Sequence, residues 1–536
     1  MGFRSFNGSF FTPPAELLVA VEAILWLLTA AVLVPMAMFC LECLLACWPG
    51  PIQRRFWRST TGPCSGDPLA TDDLDRRLQS ETDQTPRLEP TVVILIPAHN
   101  EQRVLGNTLA RLVPHLTPQQ RVLVVADHCT DRTAAIAHEW EVEVILRANS
   151  PLRGKSYALD YGVRWLKQSP PDVVLFLDAD CAVEPNLVSV LAAESYHRHR
   201  PVQGRNLSDP AGATSPMSGL SALAFQFKNL VRPLGVAVMQ GPSHLTGTGM
   251  ALPWELVKEI DWATGHLAED MHLGVQLAIK GVPAVFCPQV GISSRLPVGE
   301  RAFVQQRTRW EQGHLRTLIT QTPRLLREAF RQRRADLFIM GLDLAIPPLA
   351  LLVTCWLGLL LVSATLAGLT GVGIVSTGAL IGGGTGLLIS LLAGWWTYCR
   401  HSIRVQTLLL TPLYLLRKLP IYVQFLTGRG ERRWLRTSRD TMESSSLTAN
   451  GDLSSDDPTV PMVKTTSDSN SDTRTDATTE QSINPTGIVR GEGTVAVEKS
   501  ATKEGPAPER RSMTDGTPPD PEGNVPTNLP ASDQDH

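Results

Sequence analysis

Carboxylates recur in this sequence where a chain could use them on a phosphate or a bound cation. Asp178-Ala179-Asp180 follows the apolar run Val173–Leu177. Two aspartates at i and i+2 on a turning backbone can direct oxygens at one divalent cation. A hard cation with few protein carboxylates, completed by substrate phosphates, is the Mg2+ or Mn2+ pattern. Pro97-Ala98-His99-Asn100-Glu101 and Asp127-His128-Cys129-Thr130-Asp131 each follow another apolar run. One carboxylate after a strand is ordinarily a cap or a turn residue. Carboxylates after three of four strands would meet at one sheet edge, which capping does not require. Arg153-Gly154-Lys155 precedes a helical pattern, so two cations and a helix N-terminus could meet a phosphate, or simply form a solvated turn. Glu269-Asp270 opens the helical stretch Met271–Lys280, as an N-cap or as a general base. Gln306, Arg309 and Trp310 share a helix face by spacing. An amide, a guanidinium and an indole there suit a diphosphate and a stacked sugar; an ordinary basic interfacial helix is the alternative.

These residues need elements to place them. Thr91–Ile96, Arg121–Val125, Glu141–Leu146 and Val173–Leu177 are short and rich in β-branched or apolar residues, and helical patterns such as Glu101–Leu112 and Ser156–Leu166 separate them. The spacing predicts a parallel sheet covered on both faces, with ligands beyond the carboxyl ends of its strands. No Walker sequence or G-x-G-x-x-G follows a strand here, which leaves a P-loop or dinucleotide site without support.

The 536 residues carry 49 Lys+Arg against 52 Asp+Glu, a net charge of -3. Residues 441–536 hold 17 acidic and 7 basic residues, so the remainder is basic, and an anionic partner or membrane surface is expected for that part only. Nucleic acid is not expected as a partner. Nine cysteines are too few and scattered for a disulfide framework. Cys40 and Cys43 form a C-x-x-C inside an apolar run and read better as small residues of a membrane helix than as zinc or redox ligands.

Ala23–Leu41 is uncharged and long enough to cross a bilayer, and Leu344–Cys399 lacks Asp, Glu, Lys and Arg throughout. Three spans are expected: one within residues 17–45, then Ala345–Leu366 and Val375–Trp396. Arginines at the span ends place the central segment and the C-terminal tail in the cytoplasm, at a plasma or inner membrane. Val405–Leu426 has Arg417-Lys418 at its middle and is expected to lie along the interface, because spanning would bury both charges. The expected organisation is an N-terminal segment with one span (1–58), a linker (59–89), an α/β domain (90–336), two spans (337–400), an interfacial helix with a basic segment (401–440), and a disordered acidic tail (441–536).

The order of motifs resembles one family. Pro97 to Glu101, Asp127 with Asp131, Asp178-Ala179-Asp180, Glu269-Asp270 and Gln306-x-x-Arg309-Trp310 are similar to those of family-two glycosyltransferases with the Q-x-x-R-W signature, such as cellulose, chitin-oligosaccharide, hyaluronan and poly-N-acetylglucosamine synthases. The likeness spans residues 90–425. It implies a Rossmann-like GT-A domain, a nucleotide-sugar donor (usually of uridine), a polysaccharide or lipid acceptor, and Mg2+ or Mn2+. By that resemblance Pro97, Glu101 and Asp127 hold the nucleotide with Lys155 near it. Asp178 and Asp180 bind the sugar nucleotide and its metal, Asp270 is the base, and Gln306, Arg309 and Trp310 hold diphosphate and acceptor. Glu269 and Thr248, in Thr246-Gly247-Thr248-Gly249, flank the acceptor. His128-Cys129 departs from the Gly-Ser or Asp-Ser of many relatives, and three spans are fewer than in cellulose synthase. Transfer of a single sugar to lipid, or an inactive nucleotide-sugar sensor, are the competing readings.

Overall fold

A computed structural model describes residues 15–48, 50, 89–148, 150–208, 216–263, 269–294 and 300–427. The expected linker (apart from Glu89), the acidic tail and the arginines beyond residue 427 lie outside the described residues. The side chain of Glu269 does too.

The first helix, α1 (Ala15–Cys47), contains the whole expected first span. The next strands and helices alternate: β1 (Val92–Ala98), α2 (Leu105–Leu112), β2 (Gln120–Asp127), α3 (Thr133–Glu139), β3 (Glu143–Arg147), α4 (Lys155–Leu166) and β4 (Val173–Phe176). β1 pairs in parallel with β2 and β4, and β2 with β3. This is the half that the apolar runs predicted, and both faces are buried. Ile94, Ile96 and Val124 pack on one side with Leu105 and Leu109, and Leu95, Leu123 and Val125 pack on the other with Leu159 and Val163. A strand covered on both faces has no polar side to show, which is why these runs do not alternate.

Beyond β4 the sheet becomes mixed. The chain adds β5 (Cys181–Val183), α5 (Leu187–Arg198), β6 (Val202–Ser208), α6 (Pro216–Gln226), α7 (Arg232–Val238), β7 (Met250–Pro253), α8 (Trp254–Val257), α9 (Glu269–Ile279) and β8 (Val285–Ser294). Strand order is β3-β2-β1-β4-β7-β6-β8-β5. β7 runs antiparallel to β4 and β6, β5 antiparallel to β8, and β6 parallel to β8. The parallel expectation therefore holds for the first four strands and gives way to mixed pairing after them.

The long helix α10 (Glu300–Gln332) leads to α11 (Ala335–Leu344), α12 (Leu349–Thr370), α13 (Ile374–Gly394) and α14 (Thr411–Leu426). Among the described residues, Glu16–Cys47, Leu349–Thr370 and Ile374–Cys399 are long and apolar enough to cross a membrane. The second starts four residues later than expected. Pro347-Pro348 supplies no amide donor and disfavours helix before it, so the helix begins only after Pro348. α1 packs on α12 and α13, and Phe39 stacks on Phe227 with ring centroids 5.9 Å apart.

Candidate active site

The three expected strand ends meet at one edge. Pro97 lies in β1 beside Val125 of β2, and the two following loops are laced together. Glu101 N donates to Thr133 Oγ1 at 2.7 Å, Thr130 N to Asn100 Oδ1 at 2.7 Å, and Gln102 N to Asp131 Oδ2 at 3.2 Å. Asp131 also accepts from Thr133 N at 3.0 Å, so it is a loop-bracing cap. Asp127 is buried at the end of β2, where Arg147 Nη1 and His128 Nδ1 both bond its Oδ1, the histidine at 2.7 Å. The other ring nitrogen of His128 reaches Ser150 O at 2.7 Å, which ties β2 to the loop leading to Lys155.

Lys155 opens α4 after Gly154, whose φ of 134° suits a residue without a side chain. Its Nζ donates to Asp178 Oδ1 at 2.5 Å and to Gly247 O at 2.9 Å. Asp178 is held in turn through its backbone, since its N donates to Thr248 Oγ1 at 3.0 Å. Gln203, a polar residue inside β6, pins the same turn. Its Oε1 accepts from Thr246 N at 2.9 Å, and its Nε2 donates to Thr248 O at 3.0 Å. The hydroxyl of Thr248, expected to flank the acceptor, accepts the bond from Asp178 N and so braces the D-x-D turn. Gln203 escaped notice in the sequence because one glutamine in an apolar stretch carries no spacing signal.

Asp270 stands at the start of α9, with Oδ1 accepting from Met271 N at 2.8 Å. Its other oxygen faces the Thr246–Gly249 turn. A Cβ placed on Gly247 would lie 3.1 Å from Asp270 Oδ2 and 3.3 Å from Lys155 Nζ. Asp270, Lys155 and Asp178 therefore gather around one turn, although 92 residues separate Lys155 from Gly247. Burial pushes the Asp270 carboxyl above its ordinary value, against the opposing pull of Met271 N–H, Lys155 and Lys228. A raised carboxylate is a better proton acceptor. Burial pushes the Cys181 thiol up to about 12, and Asp180 and Asp178 reinforce the shift.

Among the described residues, no three His, Cys, Asp or Glu side chains group as a ready-made metal site. The oxygen pair of Asp178 and Asp180 suits a cation that takes most of its ligands from phosphates.

The Q-x-x-R-W stretch lies on α10. Arg307, which the motif does not include, is its buried anchor. Its guanidinium lies over the rings of Phe225 and Trp310 at 4.8 and 5.1 Å, and Nη2 reaches Ser208 Oγ at 3.4 Å. Ser208 pairs with Ser294 across β6 and β8, and Ser294 Oγ lies 3.6 Å from Cys181 Sγ. This chain of neighbours links the α10 motif to the D-x-D turn. Trp310 stacks on Phe225 at 5.7 Å and leaves 37% of its surface open. Burial pulls the Arg307 guanidinium down to about 10, so it remains a cation near neutral pH.

A mixed sheet with a D-x-D turn, and a carboxylate helix and a basic aromatic helix around one edge, is the arrangement that the resemblance to GT-A glycosyltransferases implies. Residues 90–313 match the family described as Glycosyltransferase like family 2. That match covers less than half of the 536 residues, and over this segment the chain is similar to family-two glycosyltransferases. It is 28% identical over 245 residues to a probable glycosyltransferase, YdaM, of Bacillus subtilis, covering 42% of this chain and 55% of that protein. It is 21% identical over 290 residues to the poly-beta-1,6-N-acetyl-D-glucosamine synthase of Staphylococcus epidermidis, covering 51% of this chain and 66% of the relative. The matches therefore span little more than half to two thirds of those relatives. Among solved structures, a Pyrobaculum calidifontis mannosyltransferase in complex with GDP-Man and Mn2+ aligns over 76% of this chain and 99% of its own, with 18% identity and a TM-score of 0.43. Glucosyl-3-phosphoglycerate synthase of Mycobacterium tuberculosis aligns over 41% of this chain and 80% of its own, with 19% identity and a TM-score of 0.28.

Proposed function

We propose that the chain is a membrane-bound, inverting glycosyltransferase that moves a sugar from a uridine nucleotide to a growing polysaccharide on the cytoplasmic side of the bilayer. The single observation carrying this reading is the meeting of Asp270, Lys155 and Asp178 around Gly247. Single displacement needs a base on one side of the anomeric carbon and a stabilised diphosphate on the other. Asp270 takes the proton of the acceptor hydroxyl. Lys155 and Arg309 offset charge that develops on the departing diphosphate. Pro97, Glu101 and Asp127 line the nucleotide end, and Gln306 and Trp310 the diphosphate and acceptor end, with Thr248 and Glu269 beside it. Asp178 and Asp180 would hold Mg2+ or Mn2+, which supplies Lewis-acid stabilisation of the leaving diphosphate. The polymer product draws support from the poly-N-acetylglucosamine synthase among the relatives, and the bilayer from the three apolar helices.

The test incubates membranes carrying the full chain with a panel of UDP-, GDP- and ADP-sugars and sizes the labelled product. A ladder of lengths from a UDP-sugar is expected. Addition of one sugar to extractable lipid would overturn the polymer claim, and turnover restricted to GDP-sugars would overturn the uridine claim.

A further inference from the structure

Lys418 poses a question that the site leaves unanswered. It sits mid-way along α14, in an apolar segment, where a cation at a membrane surface would be expected to reach outward to lipid headgroups. The helix is arranged the other way. Leu413, Leu416 and Val423 are exposed, while Leu415, Lys418, Ile421 and Tyr422 are buried. Lys418 Nζ donates to Glu311 Oε1 at 2.5 Å, with side-chain exposures of only 10% and 17%. The same ammonium lies 5.4 Å from the centre of the Tyr414 ring. Glu311 directly follows Trp310 and lies one turn after Arg307 on α10. Leu315 of α10, Ala350 of α12 and Leu415, Ile421 and Tyr422 of α14 form one apolar cluster around the pair.

Such a pair is a poor device for stability alone. Burying two charges costs most of what their attraction returns, and an apolar pair of similar size would hold the helices as well. The second carboxylate oxygen, Glu311 Oε2, is also buried without a hydrogen bond. What the pair adds over an apolar contact is direction. It joins α10, at the turn that carries Arg307 and Trp310, to a helix whose outer face is apolar.

We propose that Glu311 and Lys418 form a positioning clasp through which the lipid-facing helix α14 holds the Trp310 end of the site in register for the acceptor. The claim rests on the reading of Trp310 as part of the acceptor end. Neither residue touches the reacting atoms; both act through α10.

The experiment uses the full chain in lipid nanodiscs, with UDP binding as one readout and transfer from the accepted UDP-sugar to soluble β-linked N-acetylglucosamine oligomers as the other. Lys418→Met is expected to raise the oligomer KM at least tenfold while UDP affinity stays within twofold. Lys418→Arg is expected to recover most of that loss, and the reversed pair Glu311→Lys with Lys418→Glu to recover part of it. An unchanged oligomer KM in Lys418→Met, or equal losses of UDP and oligomer binding, would overturn the clasp. If Lys418→Met does not fold, the reversed pair decides: a folded reversal with no gain in oligomer binding over Glu311→Lys alone overturns it. Failure of the wild-type chain to transfer sugar would instead sink the underlying functional reading.

Discussion

Replacing Gly247 by alanine separates the cost of a strained backbone from the cost of a blocked site. Gly247 has a φ of +77°, where an L side chain costs about 1–2 kcal/mol. Stiffening of the unfolded chain returns about 0.4–1 kcal/mol of that. The net loss of roughly 1 kcal/mol lowers Tm by about 2–4 °C for a domain of this size. The new methyl would also stand 3.1 Å from Asp270 Oδ2 and 3.3 Å from Lys155 Nζ, inside the usual carbon contact distance of about 3.5–4 Å. Both groups must shift by tenths of an ångström, and the space for the acceptor oxygen narrows. Misplacement on the 1 Å scale costs about 100-fold in rate, so kcat is expected to fall between tenfold and about 100-fold. Gly281→Ala is the control. It has a φ of +98° and no atom within 4 Å of the added carbon, so it should lose comparable stability and keep its rate. Thermal unfolding and initial transfer rates on the two purified variants give the comparison. Equal activity in both variants would refute the placement of Asp270 and Lys155 around Gly247.

Other outcomes follow from the same geometry. Asp270→Asn should lower transfer by about 10²–10⁴-fold while leaving UDP binding intact, as read by single-turnover assay and titration. Because burial raises the Asp270 carboxyl above its ordinary value, its ionised form costs stability, and that cost sets in as pH rises through the folded-state value. Asp270→Asn should therefore unfold at a higher temperature than wild type at neutral pH, with the gap closing towards acid, by scanning at pH 4 to 8. Transfer itself should fall on the acid side, with a midpoint above the ordinary carboxylate range. Lys155→Met removes the partner of Asp178, and about 100-fold loss in kcat is expected if it stabilises the leaving diphosphate. Arg232 lies buried between Glu42 of α1 and Asp343 of α11, with its Nε 2.8 Å from Glu42 Oε2. Arg232→Met leaves buried Glu42 without its cation and Asp343 with only His244 at 2.9 Å, and should destabilise the chain by about 3–5 kcal/mol, measured as loss of the folded fraction in detergent.

Much of this was legible in residue order. The apolar runs of β1, β2 and β4 revealed themselves because a strand buried on both faces is apolar at nearly every position, and the edge strand β3 showed as a short β-branched run. The three spans were equally plain, because a bilayer tolerates no charge over about 20 residues. Local spacing also placed Asp178-Ala179-Asp180 after a strand and Asp270 at a helix start. What stayed hidden were partnerships between residues far apart in the chain. β5 and β7 have three and four residues, too short to carry a periodic signal, and β6 holds Gln203, Arg205 and Asn206, whose polarity hides a buried strand. Gln203 is tolerable there only because the turn at Thr246–Gly249 meets its amide. Arg307 looked like one basic residue among several until Phe225 covered it. Lys418 read only as a charge that keeps its segment from spanning, yet it turns inward because Glu311, 107 residues earlier, meets it. Sequence by itself determined the first four strands, the helices between them and the apolar segments long enough to span a bilayer, since those choices answer to local hydrophobic period and charge. Only the tertiary structure decided which polar side chains are buried, because a buried charge is stable solely beside a partner that folding brings to it.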